Sequence, residues 1–287
     1  MRINLALVLV LLPMLLSAQE RVTVKGRIVN EKGEAVEYVQ VGVPKLHMGT
    51  ISTADGHFQM EVPCDTLEFF HVSYQTAAYP VTGPADDLVI VLHEQELPPA
   101  VFIGGNTKEK YLVSPGLKMS EKLGGAGYYF PGGGAKGGEL GSIAKVRKPF
   151  LIRNIQFTIQ SNYIPGCVAS INVYRIEGDG EAFVNVLHKP IYFNIAYTET
   201  RRNYDIQPEE SILLEPGKYF IAFQIVAVDE DAVQKILDKP ESERDSKDMH
   251  IYTPLYFKNS YERFSPMGKL VHMPVNIGVA VKGLEYQ

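Results

Sequence analysis

The chain predicts an all-β protein built as two antiparallel β-sandwiches joined by a glycine-rich segment. Three observations carry that prediction. Apolar residues alternate at Val22 and Val24, at Val39, Val41 and Val43, and at Phe58, Met60 and Val62. This period of two places side chains on one face of a pleated strand. The pattern returns after Ser142, at Ile155, Phe157 and Ile159 and through the run Val168–Ile176. Between these regions half of the residues from Gly124 to Gly141 are glycine. Such a run loses too much backbone entropy on ordering to form a regular core element. Sixteen Tyr and thirteen Phe suit β-rich packing.

Residues 1–19 read as a secretory signal peptide. Arg2 supplies the charged start, Leu5 to Leu16 the apolar run, and Leu16-Ser17-Ala18-Gln19 a cleavage site. The run is short for a membrane span, and no Cys near it offers a lipid attachment point. The expectation is an exported protein with no integral span after processing: periplasmic, associated with the outer membrane, or extracellular.

The first sandwich occupies residues 20–103. A break at Glu31-Lys32-Gly33 follows the strand through Val24 and Ile28, and a second strand runs from Glu37 to Val43. Thr50–Thr53 and His57–Val62 flank Ala54-Asp55-Gly56, which reads as a hairpin turn because Gly accepts positive φ. Asp55 and Gly56 are therefore assigned as structural turn residues. His93-Glu94-Gln95-Glu96-Leu97-Pro98-Pro99 closes the unit.

Residues 104–141 read as a linker or long surface loop. Within it Tyr128, Tyr129 and Phe130 form a candidate binding surface, since three large rings in sequence tend to dock on something. Residues 142–287 form the second sandwich, of jelly-roll type. Its expected strands are Ile143–Arg147, Phe150–Ile159, Val168–Ile176, Ile191–Ile195, Ile212–Leu214, Lys218–Val226, Ile251–Phe257 and Val275–Val281. A helix is expected over Asp229–Lys239, capped by Asp229, with Val233, Ile236 and Leu237 sharing a face.

The series Gly26-x-Ile28-Val29, Gly33, Val39-x-Val41-x-Val43, Gly49-Thr50 and Thr53-x-Asp55-Gly56-x-Phe58 resembles the carboxypeptidase regulatory-like domain. That family has a seven-stranded, transthyretin-like sandwich common in secreted and envelope proteins of Bacteroidetes. His71–Thr76 fits the strand that usually follows in the family, and Val89–Leu92 its closing strand. Glu37-Tyr38 departs from the family's small residue ahead of the Val-x-Val strand. The resemblance covers about residues 21–103 and implies a fold but no catalytic residue. The second half resembles, loosely, the β-rich partner that often follows such domains, with no activity implied.

The motifs that carry chemistry elsewhere lack their context here. His93-Glu94-Gln95-Glu96 spells part of a zinc ligand set, but the next His is His188, in the other half. Gly132–Gly137 lacks the Ser or Thr and the helix of a phosphate loop. Ser265-Pro266-Met267-Gly268 lacks the setting that exposes a serine nucleophile. Glu177–Glu181 reads as a turn rather than a calcium loop. Asp86-Asp87 and Glu209-Glu210 read as solvated turns, and His47, His57 and His71 as strand or edge residues.

No catalytic residue, cofactor or metal ligand is assigned. Cys64 and Cys167 read as two lone buried thiols rather than a disulfide. A net charge of −5 without a basic block argues against nucleic acid. The reading is a non-catalytic envelope or secreted module that contacts an envelope protein or a glycan. Protein is favoured because the chain has no Trp, although Tyr128, Tyr129, Tyr192 and Tyr197 offer rings for a sugar. The alternatives are a glycan-binding module and an enzyme whose site is assembled from distant residues of the second half.

Overall fold

A computed structural model describes residues 21–96, 104–114, 117–118, 126–129, 137–178, 182–254, 256–257, 260–273 and 278–287. The expected signal peptide and Phe130 lie outside the described residues. Strand accounts for about 58% of the chain and helix for 6%, so the class is all-β, with a sandwich arrangement of several sheets.

The first half contributes seven strands: β1 (Arg21–Asn30), β2 (Gln40–Val43), β3 (Met48–Ile51), β4 (His57–Pro63), β5 (Thr66–Phe70), β6 (Ala77–Pro80) and β7 (Ala85–Leu92). They form a three-stranded sheet, β4-β1-β7, and a four-stranded one, β3-β2-β5-β6. The expected alternation is visible in β4, where His57, Gln59 and Glu61 are exposed and Phe58, Met60 and Val62 buried. Between the sheets Phe58 meets Phe69 edge-on at 5.3 Å, within a core that includes Val24, Ile28, Val41 and Leu67. One pairing departs from the antiparallel rule: β1 and β7 run parallel.

Two sequence expectations need correction here. Asp55-Gly56 does not close a hairpin, because β3 and β4 belong to different sheets. The turn instead carries the chain from one sheet to the other. Gly56, at φ +80°, directs its carbonyl to the Ile28 N–H at 2.9 Å, which continues the ladder between β4 and β1. A Cβ there would lie 2.4 Å from the Ile28 carbonyl oxygen, so Gly is required by contact as well as by conformation. His71–Thr76 is likewise not a strand. The Tyr74 N–H donates to the His71 carbonyl at 3.1 Å, which makes 71–74 a turn between β5 and β6.

The second half supplies β8 (Thr107–Val113), β9 (Leu117–Lys118), β10 (Ala126–Tyr129), β11 (Glu139–Val146), β12 (Phe150–Ile159), β13 (Ser161–Asn162), β14 (Cys167–Glu177), β15 (Ala182–Asn185), β16 (Ile191–Ile195), β17 (Arg202–Ile206), β18 (Ile212–Leu214) and β19 (Gly217–Ala227). Helix α1 (Glu230–Leu237) follows, then β20 (His250–Thr253), β21 (Tyr256–Phe257), β22 (Ser260–Arg263), β23 (Val271–Met273) and β24 (Ala280–Tyr286). A large sheet runs β15-β14-β19-β11-β22-β23, with β16 also on β14. It is joined across a shared core by the sheet β17-β12-β24-β8, with β18 also on β12. Small ladders add β10-β20-β13 and β21-β9. Among the described residues no sheet takes strands from both sides of residue 103.

The segment 104–141 is thus more than a linker. Val113 pairs with Val281 and Tyr128 with Ile251, and β11 begins at Glu139. Thr107–Val113 is an edge strand with Lys108 and Glu109 exposed. Edge strands carry such charges to discourage further pairing, which hides them from a search for apolar alternation. Of the expected strand Val275–Val281, residues 275–277 lie outside the described residues; the strand described there is Ala280–Tyr286. Helix α1 matches its expectation: the Asp229 carboxylate accepts the Ala232 N–H at 2.9 Å, and Val233, Ile236 and Leu237 pack on the core.

Candidate functional site

The site begins with an alternation that differs from that of an ordinary surface sheet. On β14, Cys167, Ala169, Ile171 and Val173 enter the second core, while Ser170, Asn172 and Tyr174 point the other way and are also buried. On β19, Ile221, Phe223 and Ile225 face that core, and Phe220, Ala222 and Gln224 occupy the opposite, equally buried face. A sheet buried on both faces reads as a near-continuous apolar run, which is how β19 reads. Part of what covers this second face is the first half of the chain, through Gln40 of β2.

The join is a polar cluster. Glu139 is 0% and Arg263 3% exposed. The Arg263 Nε donates to Glu139 Oε2 at 2.7 Å, and Nη2 forms an ion pair with the same oxygen at 2.6 Å. Glu139 Oε1 accepts from the Tyr174 hydroxyl at 2.7 Å and from Asn172 Nδ2 at 2.8 Å. Tyr174 in turn accepts from Gln40 Nε2 at 3.0 Å, so the chain of bonds crosses from one half to the other. The guanidinium lies over the rings of both Tyr174 and Phe183, at 4.8 and 4.7 Å from their centroids, and also donates to the Pro266 carbonyl. Burial raises the Glu139 carboxyl above its ordinary value, opposed by Arg263, Tyr174 and Asn172. Burial and then the Glu139 charge raise the Tyr174 hydroxyl well above its own.

Further contacts extend the seam. Tyr38, in the left-handed region at φ +52°, sets its ring edge-on to Tyr192 at 5.1 Å. The Ser73 hydroxyl donates to the His188 carbonyl at 3.2 Å, and Val72 packs against the second core. The 265–268 loop enters a socket of glycines: a Cβ on Gly42 would lie 2.8 Å from Met267 Sδ, and one on Gly137 2.8 Å from Pro266 Cγ. The Ser265 hydroxyl donates to the His47 carbonyl at 3.2 Å. Beside this loop opens a cleft of about 730 Å³, floored by Tyr174 and Arg263 and walled by Phe70, Phe183, Val184 and Leu270. Glu68 and Lys269 stand at its sides.

Of the residues singled out in the sequence, His47 and Pro266–Gly268 line this cleft, and Asp55 and Gly56 do not. Tyr128 and Tyr129 belong to β10, whose backbone pairs with β20. Asp55 is near the surface and pairs with His57 at 2.9 Å; its carboxylate is lowered chiefly by the Thr53 hydroxyl bond. His93 bonds Glu31 at 2.8 Å. Among the described residues no three His, Cys, Asp or Glu side chains form a metal-sized group.

Both cysteines are free. Cys64 is exposed, against the expectation of two buried thiols; Cys167 is buried, which pushes its thiol up to about 12. Sequence reasoning missed Gln40, Glu139, Tyr174 and Arg263. The available signal was polar residues set into apolar runs, as at Ser170, Asn172 and Gln224.

No family model and no curated protein matches the sequence. Among solved structures, a DUF3823 family protein from Parabacteroides merdae aligns at 9% identity over 89% of this chain and 97% of its own, with a TM-score of 0.21. A DUF3823 family protein from Bacteroides ovatus aligns at 12% identity over 72% and 97%, also at 0.21. The major pilin subunit of Bacillus cereus aligns at 9% identity over 90% and 70%, again at 0.21.

Proposed function

We propose that this chain is a non-catalytic, exported binding module whose ligand seat is the cleft between its two β units. The observation that carries this reading is the combination of apolar cleft walls with a floor whose polar groups bond one another. Arg263, Glu139, Tyr174 and Gln40 are all engaged within the cluster, which leaves a preorganised floor rather than an acid, base or nucleophile aimed at a substrate. Phe70, Phe183, Val184 and Leu270 suit an apolar side chain of a protein partner. Export is supported by the charged start and apolar run of residues 1–19. No helix among the described residues is long and apolar enough to cross a membrane. The seven strands of the first half, arranged three and four, support its reading as a carboxypeptidase regulatory-like unit.

The test is capture from a native envelope fraction with the wild-type chain and with Val184→Arg. Val184 is 47% exposed on the cleft wall, so a charge there blocks the seat without entering a core. A protein retained by the wild type and lost with Val184→Arg supports the reading. Equal retention by both overturns it. Capture of glycan that Val184→Arg abolishes would assign the cleft to the sugar alternative instead.

A further inference from the structure

We infer that His71 is a proton-operated release for the contact between the two halves, acting through the turn it shares with Ser73. The side chain is 8% exposed. Its Nδ1 accepts the Ser73 N–H at 3.2 Å, and a ring nitrogen that accepts carries no proton, so the neutral ring holds its proton on Nε2. Nε2 is buried without a partner among the described residues. The ring lines a cavity of about 30 Å³ together with Gln40, Ser170, Asn172 and Gln224, large enough for one water.

Among the described residues that line the cavity none carries a charge to stabilise an imidazolium. From β14 and β19 the cavity meets Ser170, Asn172 and Gln224, all neutral, and from the β2 side Gln40 and Tyr38, with the exposed Glu37 next in sequence. The 190–192 segment presents Tyr192, preceded by Lys189, which pairs with Glu210, and by His188. Within the turn itself the Tyr74 ring lies 5.3 Å away. Behind Asn172 the carboxylate of Glu139 is already paired with Arg263.

Protonation therefore has a directional consequence. It converts Nδ1 from acceptor to donor, so that two N–H groups face each other where a hydrogen bond stood. The residue displaced is Ser73, whose hydroxyl holds the His188 carbonyl, and its neighbour Val72 is the one packed on the second core. Burial lowers the His71 value from 6.5 to about 4. The closed contact is then favoured above pH 6.5 and is progressively lost as the pH falls to 4. The cavity and the cleft share Gln40 and Phe70. An effect on ligand capture follows if the binding reading holds, but the release itself does not depend on it.

The experiment is hydrogen exchange on the full chain from pH 7 to 4, corrected for intrinsic rates, in wild type and His71→Asn. Asn keeps an acceptor for the Ser73 N–H in the same turn and does not titrate. Protection at Ser73, Tyr74 and 188–192 is expected to fall on the order of a hundredfold between pH 6.5 and 4 in wild type, and to stay level in His71→Asn. An equal fall in the variant, or no fall in wild type, overturns the inference. Should His71→Asn not fold, the wild-type imidazole titration decides. A midpoint near 4 shared by the seam amides supports the release, and a midpoint near 6.5 overturns it. Because no ligand is involved, failure here leaves the cleft reading standing, and loss of the cleft reading leaves this result standing.

Discussion

Two polar regions lie along the same seam and differ in one respect. The cluster around Glu139 and Arg263 is saturated: three donors converge on the two carboxylate oxygens, and the guanidinium has a carboxylate, a carbonyl and two rings. The cavity at His71 is unsaturated: among the described residues its buried Nε2 has no partner and no charged side chain lines the cavity. Burial opposes charge in both places. Where the charge is paired and hydrogen-bonded, burial yields a rigid joint that fails only when a partner is removed. Where it is not, burial yields a group that must stay neutral, and the same interface becomes sensitive to pH.

The largest expected effect comes from breaking the saturated side. Arg263→Met should cost about 3–5 kcal/mol in denaturant unfolding, because Glu139 is left buried and uncompensated. Adding Glu139→Gln should recover a substantial part of that loss. A double variant as unstable as the single would show that packing of the guanidinium on its two rings, rather than charge, dominates.

The unsaturated side should respond to acid. A folded value of about 4 against 6.5 unfolded means that the unfolded chain binds the proton first as the pH falls. His71 thus contributes stability that is present above pH 6.5 and lost by pH 4, about 3 kcal/mol in all. Comparing urea melts of wild type and His71→Asn at pH 7 and pH 4 isolates this contribution from that of the carboxylates.

A smaller pair of variants separates conformation from contact. Gly33 and Gly56 have nearly the same φ, +79° and +80°, but a Cβ on Gly33 would meet nothing within 4 Å. Gly33→Ala should cost about 1 kcal/mol, the lower end of the strain range, and Gly56→Ala about 3 kcal/mol because Ile28 must also move. Equal losses would mean that the Ile28 contact relaxes freely. The smallest effect is expected for Asp55→Asn, within about 0.5 kcal/mol by thermal melting, since Asn retains the local turn bonds of an exposed residue. A larger change, or one that depends on calcium, would give Asp55 a role beyond the turn.

The legible parts of the sequence were those set by local chemistry. Alternation located β4 because it buries one side chain in two, a long apolar run located β19 because it is buried on both faces, and Asp229 announced α1 because capping is a contact over three residues. Which strand pairs with which was not legible at Asp55-Gly56. Period two is the same whether the next strand joins the same sheet or the opposite one, and the deciding bond, Gly56 to Ile28, spans distant residues. The seam was invisible for the same reason. Glu139 follows a glycine run that reads as loop, and Arg263 lies 124 residues further on. Ser265-Pro266-Met267-Gly268 has no pattern of its own; its meaning comes from Gly42 and Gly137, which leave room for it.

Calorimetric unfolding of the full chain at pH 7, in wild type and Arg263→Met, tests most directly whether the saturated cluster holds the two cores as one body. The account predicts a single cooperative transition for wild type and two separate transitions for the variant, as each core melts independently. Two transitions already present in wild type, or a single transition that merely shifts in the variant, would contradict it.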